Sequence, residues 1–173
     1  MENTTYTFNF GEAIVDFNES NPTPFLTYTL STGATIDSLF IKGKVTDAFE
    51  KETESFVSLQ LYPVDSVYND STIYSAKPLY VTSTLDTSNY QFSNLRKGNY
   101  LLIALNDVRS DYIFNPATDE IGFLKDTVSL PRDSIINSTL SVFKEELPYK
   151  FRRAKEARKG QILFGYLGKP SDL

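Results

Sequence analysis

Apolar and polar residues alternate along much of the chain, and a period of two is typical of half-buried β-strands. The clearest stretch is 90–104. Tyr90 and Phe92 fall on one face of a first strand, and Tyr100 and Leu102 fall on one face of a second. The polar, glycine-containing segment between them has to reverse the chain. The sequence therefore predicts a β-hairpin at 90–104.

Further strands are indicated at short intervals, and clusters of turn-forming residues separate nearly all of them. The predicted strands are 5–10, 25–31, 36–46, 56–62, 78–84, 89–93, 99–106, 125–130 and 139–143. This spacing favours a sandwich or a barrel. No sequence period of about 20 to 50 residues repeats, so a solenoid or propeller is not expected. We predict an all-β fold, an antiparallel β-sandwich of Greek-key type.

The composition changes near residue 144, where basic residues become frequent. From Lys144 to Gly160 there are seven basic and three acidic residues, a net charge of +4, whereas the whole chain carries −5. A solvated linker is the simplest interpretation, with 154–159 forming a short helix that ends at Gly160. The alternative is a basic contact for an acidic neighbouring domain or a membrane surface. An apolar strand begins again at 162–166.

The composition excludes several kinds of chemistry. The 173 residues include neither Cys nor His, so disulfides, thiolate nucleophiles and cysteine-based zinc sites are ruled out. Most hydrolase mechanisms also lose their usual general base. A net charge of −5 repels nucleic-acid phosphate, and no basic stripe with interleaved aromatic residues accompanies a predicted strand. We therefore predict that the protein is not an enzyme and does not bind nucleic acid.

Neither a membrane span nor an export signal is visible in this chain. No run approaches the roughly 20 apolar residues that a bilayer crossing needs, and the first residues lack the basic and apolar regions of a leader. A strand pattern begins at once with Tyr6, Phe8 and Phe10. Two interpretations are open, a cytosolic protein that begins with a strand or an excised piece of a longer protein. We favour the excised piece.

The middle of the chain resembles the carboxypeptidase regulatory-like modules. The segments that carry the resemblance are 43–48, 57–62 and 86–104, and it covers about 37–130. These modules are prealbumin-like sandwiches, related in design to the Cna B-type stalk domains of bacterial surface proteins. The sequence departs from their pattern at Asn89, where such modules usually have Gly before an aromatic residue. After Gly, Asn is the residue that best tolerates positive φ, so we expect that the turn can be retained.

The opening segment, 5–21, resembles the last strands of an S-layer-type bacterial Ig-like domain. In large extracytoplasmic bacterial lipoproteins such an ending commonly leads directly into a prealbumin-like module. The resemblance implies three parts: 1–35 as the last strands of a truncated Ig-like domain, 36–143 as the prealbumin-like sandwich, and 144–173 as a basic linker or tail with a terminal strand. It also implies an extracytoplasmic location at the bacterial cell envelope, in a lipoprotein fragment whose signal and lipid anchor lie upstream.

The richest polar segment directly follows the second strand of the predicted hairpin. Asp107, Asp111, Asn115 and Asp119 carry oxygen ligands of the kind that Ca²⁺ prefers. Some Cna B-type relatives hold calcium in such a loop. However, Arg109 stands where a dense calcium loop has another oxygen, and the central Gly is missing. We predict no cofactor and an ordered surface loop, with calcium bound by these four residues as the alternative.

Tyrosines are frequent in and beside the long connection that follows the strand 56–62. Aromatic faces stack on sugars and anchor peptides, although Tyr also fills sandwich cores. Tyr74 and Tyr80 are the candidate residues of a glycan or protein site in this region.

The predicted function is structural or adhesive. The module would space or present neighbouring domains of the same parent chain in a bacterial envelope protein. The first alternative is a carbohydrate- or protein-binding module with a partner at the cell surface, which a concave aromatic patch and saturable binding would distinguish. The second is a calcium-stabilised scaffold, whose melting temperature would rise with Ca²⁺.

Overall fold

The computed structural model describes residues 2–11, 13–23, 26–49, 56–84, 87–132 and 137–168. Within these ranges it contains twelve β-strands and one short 3₁₀ helix, Asp70–Tyr74. The strands are β1 (Thr5–Asn9), β2 (Thr27–Ser31), β3 (Leu39–Asp47), β4 (Ser58–Pro63), β5 (Tyr80–Ser83), β6 (Asn89–Leu95), β7 (Gly98–Asn106), β8 (Glu120–Phe123), β9 (Val128–Leu130), β10 (Asn137–Lys144), β11 (Lys150–Arg158) and β12 (Gln161–Leu167). The predicted all-β fold is confirmed. Within these ranges there is no helix of the length and apolar composition that a bilayer crossing requires.

The strands form three sheets. Strands β1 and β2 make one antiparallel pair, and β11 and β12 make another. The other eight form one sheet in the order β5-β4-β7-β8-β10-β3-β6, with β9 attached to β7. Strands β5 and β6, at the two ends of that order, approach each other, so the sheet nearly closes on itself. Its described pairings are antiparallel except for β3 and β10, which run parallel.

The main core lies inside this curled sheet. Alternate residues of a strand point to the same face, and the alternation predicted for 90–104 holds, because Tyr90, Phe92, Tyr100 and Leu102 are all buried in one cluster. The cluster consists of Ile41, Val45, Val57, Leu59, Leu61, Tyr90, Phe92, Leu95, Tyr100, Leu102, Ala104, Val128, Leu130, Leu140 and Val142. The sequence pattern therefore identified the buried face of these strands correctly.

The predicted β-hairpin at 90–104 is nevertheless wrong. Strand β6 pairs with β3, whereas β7 pairs with β4, β8 and β9. The two-residue link between them, Arg96 and Lys97, carries the chain from one side of the core to the other. Their apolar faces therefore meet across the core instead of lying side by side in one sheet.

A second apolar cluster covers the outer face of β4, β7 and β8. It contains Tyr62, Ile103, Leu105, Phe114 and Ile121, and the connection 64–79 and the loop 107–119 lie over it. Strand β4 is consequently buried on both faces over nearly its whole length. The near-continuous apolar run of β7 has the same cause, because a strand covered on both sides needs apolar residues at successive positions.

The basic tail folds differently from the prediction. The helix expected at 154–159 is wrong, because residues 154–158 belong to β11, which pairs with β12. Gly160 has a φ of +80°, and it serves the turn between the two strands instead of ending a helix. The predicted terminal strand is confirmed as β12. Two positions used in the sequence analysis lie outside the described residues. They are position 25, where the second predicted strand starts, and Asp86, where a segment that resembles the carboxypeptidase regulatory-like modules starts.

Candidate functional site

The four candidate calcium ligands lie in one loop, where backbone amides already occupy their oxygens. The Asp107 carboxylate accepts hydrogen bonds from the Arg109 N–H at 3.0 Å and the Tyr112 N–H at 2.6 Å. Asp111 accepts one from the Ile113 N–H at 3.0 Å and forms an ion pair with Arg109 at 3.5 Å. These bonds are the local turns by which Asp stabilises a loop.

Asp119 is the centre of this loop. Its side chain is fully buried and accepts hydrogen bonds from the Thr118 hydroxyl at 2.7 Å, the Asn115 N–H at 2.8 Å and the Val108 N–H at 3.4 Å. Asn115 in turn accepts a bond from the Ala117 N–H at 3.1 Å. In the described part of the chain no group of three or more acidic residues is positioned to hold a metal ion. Calcium binding at these residues stays an untested alternative, and their visible role is to shape the loop.

The two candidate tyrosines lie on opposite faces of the sheet. The Tyr74 ring packs 5.4 Å from the Phe114 ring, over the outer cluster. The Tyr80 ring packs edge-on against Tyr100 at 5.9 Å, beside the main core, and its hydroxyl accepts a hydrogen bond from the Arg96 N–H at 3.4 Å. Burial, followed by the neighbouring Tyr80, raises the pKa of Tyr100 to about 12. Tyr74 and Tyr80 therefore do not line one common surface.

A row of buried polar side chains links the outer face of β4 to the segments that cover it. Gln60 donates to the Ser58 hydroxyl at 3.1 Å, and the Tyr62 hydroxyl donates to the Gln60 amide oxygen at 3.0 Å. The carbonyls of Ala76 and Tyr112 lie 3.3 and 3.4 Å from the same hydroxyl. Burial raises the pKa of Tyr62 to about 12. This row connects the outer face of β4 to both covering segments, and no pattern in the sequence indicated it.

Next to this row, an open cleft of about 450 Å³ lies over the outer face of β4 and β5. We call it the aromatic cleft. It is lined by Asn9, Phe10, Gly11, Phe56, Ser58, Val81, Thr82, Ser83, Asp107, Ser110 and Tyr112. Phe10, Phe56 and Tyr112 are 38%, 61% and 39% exposed, respectively. Three aromatic side chains and several polar groups thus share one concave, solvent-accessible surface.

Three residues of the aromatic cleft have a backbone conformation that is uncommon outside glycine. The φ angles of Phe56, Ser110 and Tyr112 are 74°, 54° and 62°. Such conformations are rare for bulky residues and tend to cluster at functional sites. The Asp107 carboxylate holds the Tyr112 turn in place through the 2.6 Å bond to its N–H. No periodic pattern in the sequence connects these residues, so sequence reasoning missed the cleft.

A second cavity, of about 650 Å³, is lined by Arg96, Lys97, Asp37 and Tyr100 among apolar residues. Arg96 is already engaged there: its Nε lies 3.7 Å from the Asp37 carboxylate, and its guanidinium donates to the Asn3 carbonyl at 2.6 Å. These contacts connect the β1–β2 pair to the large sheet. We interpret this cavity as a structural junction.

No protein-family model, curated protein or solved structure matches the chain.

Proposed function

We propose that the chain is a non-enzymatic structural module that spaces neighbouring domains of a bacterial envelope protein and carries mechanical load between them. The observation that supports the proposal best is the pairing of β3 with β10. Along the chain, these are the first and last strands of the large sheet. In space they lie side by side and run parallel. Residues 42–47 are in register with residues 137–142.

Parallel pairing of these two strands gives the sheet a favourable geometry under tension. The start of β3 and the end of β10 lie at opposite ends of the paired stretch, and the rest of the chain leaves the sheet there. Tension along the chain therefore acts along both strands and loads their evenly spaced hydrogen bonds together. Bonds loaded together resist force better than bonds that break one after another.

Side chains strengthen the same pair of strands. The Thr46 and Ser141 hydroxyls are 3.1 Å apart, and just beyond the pair the Ala48 N–H donates to the Val142 carbonyl at 2.9 Å. The Tyr90 hydroxyl of β6 reaches across Gly43 of β3 to the Ser138 carbonyl of β10 at 3.4 Å. This bond joins the three adjacent strands β6, β3 and β10 at the position where Tyr90, Gly43 and Ser138 are in register.

The two small sheets supply surfaces for neighbouring domains. The β1–β2 pair is attached to the large sheet through Asn94, whose amide donates to the Thr7 and Thr29 hydroxyls at 3.1 and 3.0 Å. The β11–β12 pair exposes about half or more of Phe151 and Phe164, whose rings pack 5.9 Å apart. Exposed apolar faces of this kind suit contacts with further domains of the parent chain. The extracytoplasmic location implied by the family resemblance is part of the proposal.

Force spectroscopy tests the proposal. The chain is placed between two marker domains and stretched from its ends. We expect a single unfolding event that releases about 3.5 Å for each residue from Leu39 to Lys144, at a force well above that needed to peel apart a β-hairpin. Gradual extension without a distinct force peak would contradict the load-bearing role.

A further inference from the structure

We propose that the aromatic cleft binds a neutral oligosaccharide. This binding would be an additional activity, and it does not depend on whether the module bears load. The cleft volume of about 450 Å³ lies within the range of about 300–1,000 Å³ that is usual for small-ligand sites. Its open shape leaves room for a ligand that extends beyond the cleft, such as a chain of sugar rings.

The chemistry of the lining matches a sugar better than other ligands. Phe10, Phe56 and Tyr112 are partly exposed aromatic residues, and aromatic rings stack on the C–H faces of sugar rings. Ser110 adds a hydroxyl group, and each Asp107 carboxylate oxygen, which accepts one backbone hydrogen bond, keeps a further lone pair for a sugar hydroxyl group. Among the described residues that line the cleft there is neither Lys nor Arg. A phosphate or sulfate ester would therefore meet a carboxylate without a compensating cation.

The cleft is also preorganised. Its residues come from four separate parts of the chain, the end of β1, the start of β4, strand β5 and the loop 107–112. Tyr112 is fixed by the bond from its N–H to Asp107, and its carbonyl lies 3.4 Å from the hydroxyl of the buried Tyr62. A residue that is held in place in this way loses little conformational entropy when a ligand binds.

Calorimetric titration of the full chain tests the proposal with three named probes: cellotriose, maltotriose and N,N′,N″-triacetylchitotriose. We expect saturable binding of at least one of them at millimolar concentrations or below. A sulfated, heparin-derived oligosaccharide should bind more weakly than that probe. Tighter binding of the sulfated sugar, or no saturable binding of any neutral probe, would overturn the proposal.

Substitutions then locate the binding site. Phe56→Ala is expected to weaken binding about tenfold, which is the loss of one stacking platform. Phe10→Ala serves as a second variant if the first fails to fold. The matched control is Phe17→Ala, because Phe17 is fully exposed and does not line the cleft. Binding that survives both cleft substitutions, or that is lost equally in the control, would place the sugar elsewhere and overturn the proposal.

Discussion

Replacing Gly43 by Ala should destabilise the protein strongly, although the change adds only one methyl group. Gly43 lies in β3 between Tyr90 of β6 and Ser138 of β10, in register with both. A Cβ at this position would overlap the Ser138 carbonyl oxygen and the Tyr90 hydroxyl and ring. Tyr90 is buried in the main core, so its ring has no free space into which to move.

The expected cost of Gly43→Ala combines two effects. Overpacking a buried site costs about 1–3 kcal/mol, and losing the hydrogen bond between Tyr90 and Ser138 costs about 0.5–1.5 kcal/mol more. We expect the free energy of unfolding to fall by about 3 kcal/mol in total. For a chain of this length that corresponds to a melting temperature lower by roughly 6–12 °C.

Urea denaturation followed by circular dichroism measures this change, with Gly165→Ala as the matched control. Gly165 also lies in a strand, but its added Cβ would be 3.6 Å from the nearest atom, the Cβ of Arg152. The control should change the free energy of unfolding by about 0.5 kcal/mol at most. A loss below about 1 kcal/mol for Gly43→Ala, or equal losses for the two variants, would refute the close approach of β6, β3 and β10.

Four other outcomes are expected. Tyr62→Phe should lower the free energy of unfolding by about 1–2 kcal/mol in urea denaturation, because the buried Gln60 amide oxygen loses its donor. Stability should be retained below pH 10 and fall from about pH 10 to pH 12, since the folded-state pKa values of Tyr62 and Tyr100 are raised to about 12 from an ordinary value of about 10; thermal scans across that range check it. Asp119→Asn should lower the free energy of unfolding by about 2–3 kcal/mol, because the Asp119 side chain is fully buried. The Asp111 side chain is partly exposed, so Asp111→Asn should lower it by less than about 1 kcal/mol. Adding millimolar Ca²⁺ after EDTA should leave the melting temperature unchanged, because the loop oxygens accept backbone hydrogen bonds; a rise would favour the calcium-stabilised scaffold.

Sequence reasoning located strands well but not their partners. Each predicted strand overlaps an observed one, because apolar alternation directly reflects which face of a strand is buried. The same alternation arises whether consecutive strands pair in one sheet or face each other across a core. The pattern of 90–104 therefore could not distinguish a hairpin from the observed arrangement of β6 and β7.

Two strands were missed for different physical reasons. Strand β8 has only four residues and includes Gly122, so it gives almost no alternation signal. Strand β11 is largely exposed and rich in Lys and Arg, so its composition favoured a linker or a helix. Its pairing with β12 depends on the turn at Gly160, and a glycine after a charged segment is equally typical of a helix end.

The candidate sites were harder to predict than the fold. The turns in the loop that contains Asp107 and Asp119 could be predicted, because Asx turns have a local sequence signature. The aromatic cleft brings Phe10, Phe56 and Tyr112 together from distant parts of the chain. Only the tertiary fold determines which exposed aromatic residues become neighbours, so a single sequence offers no signal for such a site.

The most direct test of the load-bearing role compares two pulling directions in the same folded protein. The chain has no Cys, so pairs of introduced cysteines give unique attachment points at exposed positions. Ser38→Cys with Glu145→Cys loads β3 and β10 from opposite ends, whereas Ala48→Cys with Glu145→Cys peels them apart from one end. We predict a several-fold higher unfolding force for the first pair. Equal forces, or a higher force for the second pair, would contradict the proposed function.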